Sequence, residues 1–347
     1  MYKFDRLTVC LDMYGCPNRC RHCWLGVTPN GHMDETELKY AAEAFRPYAD
    51  ELEIFEWYRE PDYRDNYREM WELTKALSDV KTPHFELISY WRAARDESYI
   101  RWLKDMGVKI CQLTLFGGEE KTDFYVGRKG AYGEVIRTIE VLLNNEIAPR
   151  IQVFINRDNI DELPKIEALI EELHLHERCA AFGAEFTAFV HQGTCDGENE
   201  KLYDIRVTEE DLAKIPSSLA KSTMKHFGKK TLKEVFGRSE RELCAELKED
   251  HSTKNFVEKS PVLYVDKTFD VYPNYTTPAP FWRLGNLKTD GAEKIIETYM
   301  ENRTLAQRTR LTVPLADLVR FGDPDSGRLF SRGDYILYLL NNYCRNM

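Results

Sequence analysis

The hydrophobic positions of the first 190 residues fall into short runs separated by amphipathic stretches. Runs of strand length lie at residues 7–11, 52–58, 85–90, 108–116, 151–155 and 181–190. Between them, apolar residues recur at helical spacing at residues 34–45, 67–77, 99–106, 132–143 and 163–173. Six strands with five intervening helices predict an α/β fold with a parallel sheet wound by right-handed crossovers. Such a sheet binds its ligands at the carboxyl ends of its strands.

The regular alternation ends after residue 190. Residues 191–260 combine polar loops with short helix-like pieces, which is typical of a connecting or lid region. Residues 262–265 and 269–272 then predict a hairpin, and helical patterns at 292–301 and 335–342 complete the chain. We therefore expect three parts: an α/β domain over 1–190, a connecting region over 191–260, and a small α+β extension over 261–347.

Composition narrows the class of protein. The chain has 347 residues, of which 43% are hydrophobic and 31% charged, so it is long enough for a large core. Its net charge of −10 lacks the basic footprint of a protein that binds nucleic acid. No signal peptide and no apolar stretch of about 18 residues is apparent, so we expect a cytoplasmic protein without a membrane partner. Nine cysteines, an odd number, disfavour a disulfide framework.

Three of the cysteines are clustered. Cys16, Cys20 and Cys23 form a Cys-x3-Cys-x2-Cys array directly after the first predicted strand. Three thiolates on one loop can bind three corners of a cubane iron–sulfur cluster and leave the fourth iron open to an external chelator. The alternative is a zinc knuckle completed by His22 or by a distant group, in a non-catalytic interaction protein. It is disfavoured because adjacent residues such as His22 and Cys23 seldom share one metal.

The triplet resembles the signature of the radical S-adenosylmethionine (radical SAM) enzymes. The resemblance implies a partial (β/α)6 barrel, one [4Fe-4S] cluster, and S-adenosylmethionine as second cofactor. It also implies an electron donor such as flavodoxin or ferredoxin. In these enzymes the reduced cluster cleaves S-adenosylmethionine to a 5′-deoxyadenosyl radical, which takes a hydrogen atom from the substrate.

The resemblance extends to a turn after the second predicted strand. The segment Tyr58-Arg59-Glu60-Pro61 occupies the place of a Gly-Gly-Glu-Pro-like turn in the family. Glu60 is then expected to hold the amino group of the cofactor's methionine, although Tyr58 and Arg59 bring bulk that the family's turn lacks. The alternative is a solvated loop carboxylate.

Further cofactor-binding residues follow from the same resemblance. Thr114 takes the place of a hydroxyl residue near the cofactor, and Arg128 that of an arginine that pairs with its carboxylate. Asn156, together with Asn159, matches a position near the ribose, and His22 completes the expected set. The alternatives are a surface arginine in a glycine-rich turn for Arg128, and ordinary turn residues for the two asparagines.

The C-terminal hairpin and the helix from residue 292 resemble the SPASM extension, which usually carries auxiliary clusters. Asn274 stands where that extension has a cysteine. Cys244 and Cys344 are isolated in the sequence and cannot supply the four thiolates that one auxiliary cluster needs. We therefore expect a SPASM/twitch-like enzyme that lacks the auxiliary-cluster cysteines.

The branch resemblance favours a peptide substrate, and an amino sugar or other small metabolite is the alternative. Without an auxiliary cluster as electron acceptor, a redox-neutral reaction such as epimerisation is favoured over net oxidation. Epimerisation needs a hydrogen donor, usually a thiol. Cys195 follows the sixth predicted strand and is the candidate catalytic residue; the alternative is an inert loop thiol.

Overall fold

The structure, a computed structural model, describes residues 2–13, 15–23, 25, 31–56, 60, 62–84, 86–194, 197–273 and 278–347. Ten strands lie in these residues: β1 Phe4–Leu11, β2 Ala49–Phe55, β3 Ile110–Leu115, β4 Ala148–Phe154, β5 Thr187–His191, β6 Arg238–Ser239, β7 Val262–Val265, β8 Asp270–Pro273, β9 Gly285–Asn286 and β10 Leu329–Phe330.

Fifteen α-helices lie in the same described ranges. They are α1 Glu35–Phe45, α2 Tyr67–Leu77, α3 Tyr90–Ala93, α4 Glu97–Asp105, α5 Glu119–Val126, α6 Ala131–Asn144, α7 Leu163–Glu172, α8 Leu175–Ala180, α9 Ser217–Phe227, α10 Leu232–Phe236, α11 Glu240–Leu247, α12 Gly291–Met300, α13 Leu305–Thr312, α14 Leu315–Leu318 and α15 Arg332–Arg345. Asp34 and Glu37 form a reciprocal capping box at the start of α1.

The N-terminal strands form the parallel part-barrel that the alternation predicts, as two sheets. In one, β1 pairs in parallel with β2; in the other, β3, β4 and β5 pair in parallel. The prediction of six strands in one sheet is therefore wrong in detail. Residues 86–90, the described part of the third predicted strand, do not form a full strand: Leu87 makes one parallel bridge to Gln112. The chain then turns away, because the Ser89 side chain caps α3.

The C-terminal hairpin is present and joins the barrel sheet. β7 and β8 are antiparallel, and β7 also pairs in parallel with β1, so that the strand order is β2-β1-β7-β8-β9. Thr8 of β1 lies between Glu53 of β2 and Val262 of β7. The extension is thus continuous with the sheet whose carboxyl end carries the cysteine loop.

Strands β3 and β4 have one apolar and one polar face. On β3, Cys111, Leu113 and Leu115 are buried in the main core, and the intervening Gln112 and Thr114 are only half-buried. The two-residue period places these polar side chains together on the face opposite the helices. The polar face of this sheet is therefore available for a site.

The connecting region is more ordered than its polar sequence indicates. Helix α9 packs along β5, where the Thr223 hydroxyl accepts a hydrogen bond of 3.0 Å from the Val190 amide. Helix α9 therefore covers the free edge of the second sheet. Helices α11 and α15 pack in a second apolar cluster with Tyr264 and Trp282. In the described part of the chain, none of the helices has the length and hydropathy of a membrane span.

Candidate active site

The cysteine loop follows β1 and lies against the end of α5. The amides of Arg19 and Arg21 donate to the carbonyls of Val126 and Tyr125, at 2.9 and 2.8 Å. Gly127 permits this approach, because it has a φ of +71° and a Cβ at this position would lie 2.6 Å from the Arg19 carbonyl oxygen. The glycine therefore fixes the path of the loop between its cysteines.

The three clustered thiols lie close enough to influence one another. Burial raises the pKa of Cys20, and the neighbouring Cys16 and Cys23 raise it further. A set of thiolates that repel one another is suited to bind a positively charged iron centre, which offsets the repulsion. Within the described ranges, no group of three or more His, Cys, Asp or Glu side chains is positioned to bind a single metal ion. In a cubane, by contrast, each thiolate binds a different iron.

Glu60 is a buried carboxylate beside this loop. It is 4% exposed, so the alternative of a solvated loop residue is wrong. Its Oε2 accepts from the Asn18 amide at 2.8 Å, and its Oε1 accepts from the Trp91 backbone N–H at 2.9 Å. Burial raises the pKa of Glu60 to about 7, although the hydrogen bonds from Trp91 and Ser89 and the charge of Arg128 favour the charged form. Tyr58, Arg59 and Pro61 lie outside the described residues.

Arg128 belongs to the same network. Its Nε donates to the Asn18 side-chain oxygen at 2.8 Å, and its two terminal nitrogens form a fork with Glu134, at 2.9 and 2.5 Å. Arg128 is therefore half-buried and hydrogen-bonded, unlike a surface arginine in a flexible turn. To pair with a ligand carboxylate, as the sequence predicts, the guanidinium has to share or exchange its bonds to Glu134.

Asn18 is the residue that sequence reasoning missed. It lies between Cys16 and Cys20, is 7% exposed, and bridges Glu60 to Arg128 through the two ends of one amide. The sequence feature that could have indicated it is its position between two candidate cluster ligands, Cys16 and Cys20. An asparagine in a loop is so common, however, that its sequence position alone does not reveal a bridging role.

His22 lies among aromatic rings at the carboxyl ends of β3 and β4. Its ring centroid is 4.8 Å from that of Phe116 and 4.7 Å from that of Phe154. Burial lowers the pKa of His22 to about 4, helped by the nearby His191, so the imidazole is neutral at physiological pH. Its Nδ1 is buried without a hydrogen-bond partner.

Thr114 lies in a row of polar side chains across β3, β4 and β5. The Gln152 side-chain oxygen accepts from Gln112 at 2.9 Å and from Thr114 at 3.4 Å. The Gly193 N–H donates to His191 Nδ1 at 3.1 Å, so the histidine proton is assigned to Nε2. With this tautomer the Gln152 amide also donates to His191 Nδ1, at 3.2 Å. The row extends from the place expected for the cofactor across the polar face of the sheet.

Asn156 and Asn159 organise the loop after β4. The Asn156 amide donates to the Tyr125 hydroxyl at 2.9 Å. The Asn159 amide donates to the carbonyls of Phe116 and Phe154, at 2.9 and 2.8 Å. Both asparagines are buried, and Asn159 ties together the carboxyl ends of β3 and β4. A role of Asn156 toward the ribose stays a prediction.

The structure describes Cys244 and Cys344 but not the candidate hydrogen donor. Cys195 lies outside the described residues, as does Asn274. Cys244 is buried with its Sγ 3.0 Å from the Tyr335 hydroxyl, and Cys344 is buried 4.0 Å from the Thr309 hydroxyl. Burial raises the pKa of Cys244, and that of Cys344 to about 11, so both are protonated thiols at neutral pH.

A family model matches the part of the chain that contains this site. Residues 11–170, which contain the cysteine loop, Glu60, Thr114, Arg128 and Asn156, match the family model of the Radical SAM superfamily. No curated protein matches the sequence. Residues 11–170 are therefore a radical SAM domain, and the chain is an enzyme of the class that uses S-adenosylmethionine.

Two solved structures have the same fold over almost the whole chain. Native anSMEcpe with bound AdoMet has a TM-score of 0.53 at 14% identity, with 98% of this chain and 100% of that chain covered. The same protein with bound AdoMet and Kp18Cys peptide has a TM-score of 0.52 at 14% identity, with 99% and 100% covered. The shared fold includes the C-terminal extension.

Gly127→Ala tests the path of the cysteine loop. The added Cβ would be 2.6 Å from the Arg19 carbonyl oxygen, and the positive φ adds backbone strain of about 1–3 kcal/mol. We expect a folded protein, by circular dichroism, that binds far less iron after anaerobic reconstitution. Gly130→Ala is the matched control, since Gly130 has a φ of +83° and no atom within 4 Å of the added Cβ. Equal iron binding by the two variants would contradict the role of the close contact.

Proposed function

We propose that this enzyme binds one [4Fe-4S] cluster through Cys16, Cys20 and Cys23, and that it removes a hydrogen atom from a peptide substrate. When bound and reduced, the cluster supplies the electron that cleaves S-adenosylmethionine to methionine and a 5′-deoxyadenosyl radical. The observation that carries the proposal is the Asn18 bridge, which joins the cysteine loop to the buried Glu60 and to Arg128.

In this proposal Glu60 and Arg128 bind the two charged groups of the cofactor's methionine. Glu60 is buried and needs a cation to stabilise its charged form, and an ammonium group supplies one. Arg128 offers a planar fork to a carboxylate, and Glu134 holds that fork in place until the ligand enters. Asn18 fixes the position of Glu60 relative to Arg128. The ammonium and carboxylate groups of the cofactor's methionine can therefore bind Glu60 and Arg128 at the same time.

His22 and Thr114 bind the rest of the cofactor. The neutral His22 imidazole, in contact with Phe116 and Phe154, offers a flat and weakly polar surface to a planar group such as adenine. Thr114 and Asn156 supply polar atoms at the ends of β3 and β4, where hydroxyls of the ribose are expected. The polar row from Thr114 to His191 then continues toward the substrate.

A peptide is the proposed substrate because a structure with the same fold contains a bound peptide. Two features support a single cluster. Asn274 stands where the SPASM pattern has a cysteine, and Cys244 and Cys344 are buried against hydroxyl groups of the protein. A redox-neutral outcome follows, since no second cluster then takes up an electron from the substrate radical.

Replacing Cys16, Cys20 and Cys23 together by Ala tests the cluster assignment. We expect colourless protein that forms no 5′-deoxyadenosine, whereas reconstituted wild type should contain about four irons per chain and cleave the cofactor when reduced. Cys244→Ser and Cys344→Ser are the controls and should keep the wild-type iron content. About eight irons in wild type, or iron loss in either control, would contradict a single cluster bound by the loop.

The pH dependence of S-adenosylmethionine binding tests Glu60. The free enzyme holds the pKa of Glu60 at about 7, so below pH 7 the carboxyl is protonated and has to release a proton to pair with an ammonium group. We expect the affinity to fall as the pH decreases below 7, by up to about tenfold per pH unit. Calorimetry of the anaerobic holoenzyme at pH 5.5–7 measures the affinity for S-adenosylmethionine.

Glu60→Gln is the matched variant for this measurement. It should bind the cofactor more weakly at pH 7 and lose the pH dependence, because its side chain does not titrate. A variant that keeps the wild-type slope would show that another group is responsible.

Cys195→Ala tests the proposed hydrogen donor. The variant should still form 5′-deoxyadenosine but should not return a hydrogen atom to the substrate radical. In deuterated water the wild-type product should carry one deuterium at the abstracted carbon, because a thiol exchanges its proton with solvent. Full product formation by the variant, with the same deuterium content as wild type, would remove Cys195 from the mechanism. Mass spectrometry of the product gives both results.

A further inference from the structure

A buried arginine lies near the carboxyl end of β5, outside the residues assigned above to the cluster and the cofactor. Arg206 is 3% exposed and forms no ion pair with a described acidic side chain. Its Nε donates to the Leu329 carbonyl at 2.9 Å, and its guanidinium carbon is 4.4 Å from the centroid of the Phe330 ring. Its Nη1 is buried and has no hydrogen-bond partner.

Gln192 lies beside Arg206 and has a hydrogen-bond acceptor that is not used. This residue directly follows β5, is 5% exposed, and donates at 3.0 Å to the same Leu329 carbonyl that Arg206 uses. Its side-chain oxygen is buried and also lacks a hydrogen-bond partner. One carbonyl group thus positions two side chains, one with an unused donor and the other with an unused acceptor.

The pair lies on the side of the barrel that carries the cysteine loop. The 3-10 helix Gly197–Ile205 ends one residue before Arg206, and near its start the Glu198 amide donates to the Cys23 carbonyl at 2.8 Å. Burial and, to a smaller extent, the charge of Arg206 lower the pKa of His191, which belongs to the polar row and in turn acts on His22. The arginine is therefore close to the space in which the substrate is expected.

A buried cation without an anion is unfavourable for folding, because it loses hydration and gains no ion pair. The contact with Phe330 compensates for part of this loss. Burial raises the pKa of Asp334 and the nearby Arg206 lowers it, so the two side chains interact electrostatically, but they form no direct ion pair. This arrangement, which is costly in the free protein, is accounted for if a ligand supplies a carboxylate that pairs directly with Arg206.

We propose that Arg206 and Gln192 bind an acidic residue of the substrate, with Arg206 on its carboxylate and Gln192 on a neighbouring peptide N–H. A guanidinium donates two parallel hydrogen bonds to a carboxylate, and the free oxygen of Gln192 accepts from an amide. The inference rests on the proposed function in one respect, that the ligand is the substrate. It implies that the substrate is a peptide with an acidic side chain or a free C-terminus that contacts Arg206.

The test compares two model ligands with the anaerobic holoenzyme: N-acetyl-glutamate N-methylamide and its glutamine counterpart, which differ by one charge. We expect the glutamate compound to raise the melting temperature of wild type in a concentration-dependent manner, and the glutamine compound to bind at least about tenfold more weakly. Arg206→Met should lose this difference, and Gln192→Leu should weaken binding of the glutamate compound.

The melting temperatures without ligand separate a binding role from a structural one. Arg206→Met should be as stable as wild type or more stable, since it removes an unpaired buried charge. Arg328→Met is the matched control: Arg328 pairs at 2.6 Å with the fully buried Glu240, so its loss should lower the melting temperature. An Arg206→Met variant as unstable as Arg328→Met, or equal binding of the two compounds by wild type, would overturn the proposal.

This binding experiment is independent of catalysis. Formation of 5′-deoxyadenosine by wild type is measured in parallel, without the model ligands. If the enzyme does not cleave the cofactor, the proposed function fails, and the comparison of charged and neutral ligands still decides whether Arg206 binds a carboxylate.

Discussion

The side-chain amide of Asn18 is the contact on which the candidate site depends. It donates to Glu60 and accepts from Arg128, and it belongs to the loop that carries Cys16 and Cys20. Because an amide has a donor at one end and an acceptor at the other, it can join an acid to a base only in one orientation. The position of the cysteine loop, the buried carboxylate and the guanidinium are therefore set together.

Two kinds of surface meet at this site, and each follows from strand periodicity. The faces of β3 and β4 toward the helices are apolar and form the core, and the opposite faces carry Thr114, Gln152 and their neighbours. At the carboxyl ends of these strands, Phe116 and Phe154 enclose His22. A flat apolar wall thus continues into a polar row, an arrangement that suits a nucleoside-containing cofactor beside a polar substrate.

The C-terminal half of the chain also supports the candidate site. Strand β7 pairs with β1, so the extension stabilises the strand from which the cysteine loop emerges. The Leu329 carbonyl of β10, far along the chain, orients Arg206 and Gln192 near the end of β5. Truncation of the extension would therefore remove support from the cluster loop and from the proposed substrate contacts at once.

The sequence by itself determined the local features. It placed the triplet of cysteines on a loop after a strand, the helix that begins near residue 34, and the alternation of strands and helices, because each depends on neighbours within a few residues. Only the tertiary structure decided that Glu60 is buried, that Asn18 bridges it to Arg128, and that β7 lies beside β1. These contacts join residues 42 to about 250 positions apart, and local patterns hold no information on which distant partners the folded chain brings together.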